Sequence, residues 1–123
     1  MMISPILTNA EMEIMQVVWD LGKASVRDVH EVLESRKKVA YTTIMTVMKI
    51  LEDKGHLRKV QIGRAYIYSP VRSRQQVTSS MLGEFLNRVY EGSARELVLN
   101  LVDDSKLSDQ ELKEIARIIE EKQ

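Results

Sequence analysis

The sequence predicts a mainly α-helical chain with one small β-hairpin, and three observations carry that expectation. Apolar stripes at helical spacing recur three times before Gly55. The period then changes from 3.6 to 2 between Leu57 and Ser69. From Ser73 onward the helical period returns and persists to the last residues.

The first helix is announced by Thr8-Asn9-Ala10-Glu11, a capping box in which hydroxyl and carboxylate satisfy free backbone donors reciprocally. Ile14, Val17, Val18 and Leu21 form its apolar stripe, and Gly22 ends it. Ser25 opens a second helix, with Asp28 near its positive end and a buried stripe of Val26, Val29 and Leu33. Arg36-Lys37-Lys38 is expected to close it, with cations at the negative end of the dipole. A third helix runs from Tyr41 to Lys54 and stops at Gly55, its stripe being Ile44, Val47, Met48 and Leu51. Leu57–Gln61 and Ala65–Ser69 then flank Ile62-Gly63-Arg64 as two strands of a hairpin, and Pro70 terminates the second because it cannot donate to a ladder. Tyr66 and Tyr68 share one strand face and are expected to pack; Tyr41 stands at the entrance of the third helix.

Three short helices and a hairpin describe a winged helix-turn-helix. None of the helices is long enough to persist in water, so stacked stripes must make the core. Residues 1–72 are assigned to this unit and residues 73–123 to a second, of three helices: Gln75 to Tyr90, Ala94 to Val102 and Asp109 to Lys122. Ser108-Asp109-Gln110-Glu111 caps the last, whose stripe is Leu112, Ile115, Ala116 and Ile119. Fifty residues in three helices bury too little surface alone. Yet Met81, Leu82, Phe85, Leu86, Val89, Leu97, Leu101, Ile115 and Ile119 present much apolar area. Packing back on the first unit is one solution; a second copy of the chain is favoured, making this a helical dimerisation segment.

Composition excludes several classes. Charged residues are 29% and hydrophobic residues 44% of the 123, the balance of a folded domain. Apolar runs are too short for a membrane span, and Met1-Met2-Ile3-Ser4-Pro5 lacks the features of a secretory signal. The cytoplasm is the expected compartment. With no cysteine there is no disulfide, thiol nucleophile or thiolate metal site. His30 and His56 show no metal-ligand spacing and are read as structural or solvated. No phosphate loop, nucleophile elbow or carboxylate pair suggests catalysis. No catalytic residue, cofactor or metal is expected. Net charge is zero, but residues 1–72 carry 11 Lys/Arg against 8 Asp/Glu, and residues 73–123 carry 7 against 10. A basic half meeting a polyanion and ordinary scatter explain that imbalance equally well.

On a helical wheel that turns the third helix's stripe inward, Thr42, Thr46, Lys49 and Asp53 face outward, flanked by Thr43 and Met45. The second helix of a helix-turn-helix reads base edges in the major groove. Threonine suits that work, its hydroxyl bonding a base or phosphate and its methyl packing on a thymine methyl. A merely solvated face would carry Glu and Lys, since Thr is a poor helix former. Met45 can add apolar contact, Lys49 can reach a phosphate or guanine, and Tyr41 lies close to a phosphate. Arg58, Lys59 and Arg64 of the hairpin can reach backbone or minor groove. The expected partner is double-stranded DNA. The rival reading is a winged-helix protein-interaction module without sequence-specific DNA binding.

These motifs together resemble the penicillinase repressor family. The resemblance rests on Leu7 through Met15, Trp19, Val26-Arg27-Asp28-Val29, Tyr41 through Val47, Lys54-Gly55 and Gly63 through Pro70, and it covers nearly the whole chain. It implies a homodimer that occupies a dyad operator and represses transcription in an antibiotic response of β-lactamase type. Thr42, Thr43, Met45 and Thr46 fall where members contact DNA. The chain departs at Ile50, where many relatives carry arginine, with Lys49 beside it. Antibiotic-responsive members are inactivated by cleavage within the dimerisation helices, through a sensor-linked protease, between an Asn and a Phe. Asn100 and Leu101 align with that bond, Leu101 replacing the aromatic residue; a helix carrying one polar residue accounts for the same pattern. The copper-responsive branch uses a cysteine cluster that this chain lacks.

Overall fold

A computed structural model of the chain describes residues 7–122. The amino-terminal segment read above for a secretory signal lies outside the described residues. The elements run α1 (Asn9–Leu21), α2 (Val26–Glu34), α3 (Tyr41–Asp53), β1 (Leu57–Ile62), β2 (Ala65–Pro70), α4 (Arg74–Tyr90), α5 (Ala94–Asp103) and α6 (Asp109–Glu121). This is a mainly α fold with a winged helix-turn-helix at its start. Contacts divide the chain into two compact units between Met81 and Leu82 rather than between Arg72 and Ser73. The reason is local. Val77 of α4 is fully buried in the first unit's core and Met81 packs against it, so the first two turns of α4 belong to that unit.

The first unit is built from capped helices around one apolar core. Thr8 and Ser25 cap α1 and α2, each in a reciprocal capping box, with Glu11 and Asp28 respectively. Ile14, Met15, Val17, Val18, Val29, Leu33, Ile44, Met48, Leu51 and Leu57 fill the core. Leu21, expected in the α1 stripe, is instead 48% exposed. It is the last helical residue before Gly22 turns the chain away at φ +85°, and Met15 fills the inner face in its place. Helix α2 ends at Glu34, so the Arg36–Lys38 cations lie beyond its last turn rather than closing it. Lys37 pairs instead with Glu13 of α1 at 2.8 Å.

Strands β1 and β2 pair antiparallel from Leu57↔Pro70 to Ile62↔Ala65. Ile62 therefore belongs to β1, and the loop is only Gly63-Arg64. Gly63, at φ +63°, supplies the left-handed residue that a two-residue turn of type II′ needs first. Ala24, between α1 and α2, bridges to Tyr68 through both backbone groups, at 2.9 and 2.8 Å. Trp19 donates its indole N–H to the Arg72 carbonyl at 3.0 Å. Arg74 donates to Gln16 Oε1 at 2.9 Å and pairs with Asp20, its guanidinium over the Trp19 ring. The entry to α4 is thereby pinned on α1.

The second unit, from Leu82, carries the rest of α4 with α5 and α6. Ser93 caps α5, and Ser108 and Glu111 form the capping box of α6. Phe85 and Tyr90 meet edge to face at 5.8 Å between ring centroids, and the Tyr90 hydroxyl donates to Asn100 Oδ1 at 2.6 Å. None of the described residues of this unit is buried.

Candidate nucleic-acid interface

The amphipathic division of α3 organises the site. Ile44, Met48 and Leu51 are buried beneath it and Val47 is half-buried. Tyr41, Thr42, Thr43, Met45, Thr46, Lys49, Ile50 and Asp53 are exposed. A helix anchored so firmly on one side holds the other side rigidly. Ala40 precedes α3 without a side-chain cap, and the Thr43 amide donates instead to the Ala40 carbonyl at 3.1 Å.

Tyr41 is held at this entrance by His30, whose ring meets it edge to face at 5.6 Å. One His30 ring nitrogen hydrogen-bonds the Val39 carbonyl at 3.1 Å, and the other stands 3.8 Å from Glu34. His30 thus braces the turn between the two helices of the motif. Its separation of eleven residues from Tyr41 held no sequence signal, because the contact crosses a loop. The second brace is electrostatic. Lys54, at the end of α3, sits 2.9 Å from the buried Glu11 carboxylate. Burial pushes that carboxyl up. The Lys54 ammonium and the Thr8 amide and hydroxyl outweigh it, holding the group below the ordinary carboxylate range.

The hairpin cations divide between two faces. Lys59 lies on the face of Tyr66 and Tyr68, over the Tyr66 ring at 4.7 Å and 3.5 Å from Glu52 of α3. Arg58 lies on the opposite, exposed face with Val60 and Ile62. Arg64 is exposed at the turn. The two tyrosines do not pack alike. Tyr68 is buried, which raises its phenol pKa, whereas Tyr66 is 47% exposed. Tyr66 stands nearer the hairpin tip, beyond the reach of the helical core, and only Tyr68 is bridged to Ala24.

Of the residues expected at a dimer interface, Met81 packs on the first unit. Leu82, Phe85, Val89, Ile115 and Ile119 are exposed, and Leu86, Leu97 and Leu101 are half-buried. Asn100 is an exposed residue of α5. Among the described residues no cluster could hold a metal ion, and no helix is long and apolar enough to cross a membrane.

A three-helix core with an exposed threonine-rich helix and a cationic hairpin defines a winged-helix transcription regulator. The comparisons narrow the class. The penicillinase repressor family matches residues 7–121. The penicillinase repressor of Bacillus licheniformis is 31% identical across 95% of this chain and 91% of its own length. The methicillin resistance regulatory protein MecI of Staphylococcus aureus (strain N315) is 28% identical across 94% of each. The solution structure of the DNA-binding domain of the repressor BlaI is 28% identical with TM-score 0.53, covering 57% of this chain and 85% of that one. Oxidised MarR from E. coli shares the fold at 10% identity and TM-score 0.52, covering 94% of this chain and 74% of that one. The chain belongs to the penicillinase repressor family.

Proposed function

We propose that the chain is a homodimeric transcriptional repressor that occupies a pseudo-palindromic operator, in an antibiotic response of β-lactamase type. The observation that carries this reading is the division of α3: Ile44, Met48 and Leu51 lock one side while Thr42, Thr43, Met45 and Thr46 stand exposed on a rigid helix. In the major groove those four side chains would select sequence. Tyr41, Lys49, Arg58, Lys59 and Arg64 would supply backbone contacts and most of the affinity. The apolar residues exposed on α4, α5 and α6 would pair two copies, so that two recognition helices meet successive half-sites. Repression follows from occupying promoter DNA.

Relief of repression is assigned to a sensor-linked protease acting between Asn100 and Leu101. Helix α5 contains no buried residue, which supports cheap local opening of that segment. Cleavage there would separate the pairing helices and lower operator occupancy by mass action.

Selection from a randomised duplex pool, followed by titration of the selected and scrambled duplexes, tests the division of roles. Thr46→Ala should lose discrimination of roughly 1–3 kcal/mol at its base position while binding scrambled DNA as before. Arg64→Ala should weaken both duplexes alike. Equal losses for both variants on both duplexes would refute it. A protein-interaction module would instead show weak or salt-insensitive duplex binding, whereas counterion release makes a DNA-binding chain lose affinity steeply with salt.

A further inference from the structure

Beside α3 lies an open cleft of about 400 Å³ between that helix, the start of α2 and the hairpin tip. Its walls include Tyr41 and Met45 from α3, Arg64, Tyr66 and Tyr68 from the hairpin, and Arg27 from α2. Two arginines from separate elements thus line one concavity, together with three tyrosines. Arg27 was not among the residues expected at the interface. Its side chain is 81% exposed and pairs with Glu31, one helical turn away at 3.2 Å.

We infer that this cleft seats a phosphodiester of the DNA backbone, with Arg27 and Arg64 gripping it from opposite sides. The inference rests on the reading of α3 as the groove-facing helix. A guanidinium presents planar, paired donors that match phosphate oxygens, and the phenols add hydroxyl donors and apolar walls for the sugar. The cleft is only partly enclosed, which leaves room for a strand to continue past it. An isolated effector would need convergent, buried polar groups to fix its orientation; the two arginines stand at the surface. The Arg27–Glu31 pair is exposed and therefore weak, so it can part when a phosphate arrives. Glu31 then opposes the incoming anion.

The pair yields tests of opposite sign on a fluorescent duplex of arbitrary sequence, since backbone contacts carry no sequence information. Arg27→Gln should lower affinity and reduce the slope of log affinity against log salt by about 0.9, the share of one phosphate. Glu31→Gln should raise affinity by about two- to fivefold at low salt. A merely structural role for Arg27 would leave the salt slope unchanged. That result, with wild-type binding intact, overturns the clamp and leaves the DNA reading standing. Absence of salt-dependent duplex binding by the wild-type chain overturns both. Inorganic phosphate titrated at fixed ionic strength should not displace the duplex; displacement there would assign the cleft to a free anion and also overturn the proposal.

Discussion

The two units of this chain solve the same problem to different degrees. In the first, fourteen apolar side chains from three helices, the segments leading into α1 and α2, the hairpin and the head of α4 are buried in one cluster. In the second, no described residue reaches that state, although Leu82, Phe85, Val89, Val98, Ile115, Ile118 and Ile119 are all large, apolar and exposed. The difference teaches where each unit finds its stability. One closes a core of its own; the other leaves large apolar side chains exposed among its described residues.

The sharpest way to break this contrast is a cavity in the first unit. Leu51→Ala removes a fully buried side chain and should cost about 2–5 kcal/mol. Denaturant unfolding should show that loss at every protein concentration. Glu11→Gln should cost less, about 1 kcal/mol, by leaving the partly exposed Lys54 facing a neutral partner. The same carboxylate predicts a pH dependence. Because its folded pKa lies below the unfolded value, its stabilisation is complete above the ordinary carboxylate range and drains away as the solution is acidified through and below it. Wild type should therefore lose its advantage over Glu11→Gln in acid. A gap that stayed constant across acidic pH would contradict the ion pair. For the pairing proposed for the second unit, Ile115→Asp with Ile119→Asp should raise the dissociation constant at least about tenfold, or roughly 1.4 kcal/mol. Sedimentation would read the shift, while the Trp19 environment in the first unit stays unchanged. An unaltered association state would sink the pairing of α6.

What could be read from the residues alone was local. The capping boxes at Thr8 and Ser108, the helix start at Ser25, the apolar stripe of α3 and the switch to period two after Gly55 each lie within a few positions of one another, and the structure contains all of them. The exposed polar face of α3 followed from the same stripe. The misread features depend on partners far along the chain. Leu21 fits a helical wheel, but Gly22 turns the chain before it can reach the core. Tyr66 shares a strand face with Tyr68, yet only Tyr68 reaches the connector at Ala24. The Glu11–Lys54 pair and the anchoring of Arg74 on Gln16 and Asp20 join residues more than forty positions apart. No periodicity announces such contacts. Arg27 follows the same rule: only the folded chain sets it and Arg64 on one cleft.

The bridge between Ala24 and Tyr68 has a mechanical consequence. A free two-stranded ribbon is barely stable in water, but here its base is clasped at both backbone groups by the segment joining α1 to α2. The hairpin is thereby fastened at its root to the helices, and its turn at Gly63 and Arg64 is held out into solvent as an exposed tip.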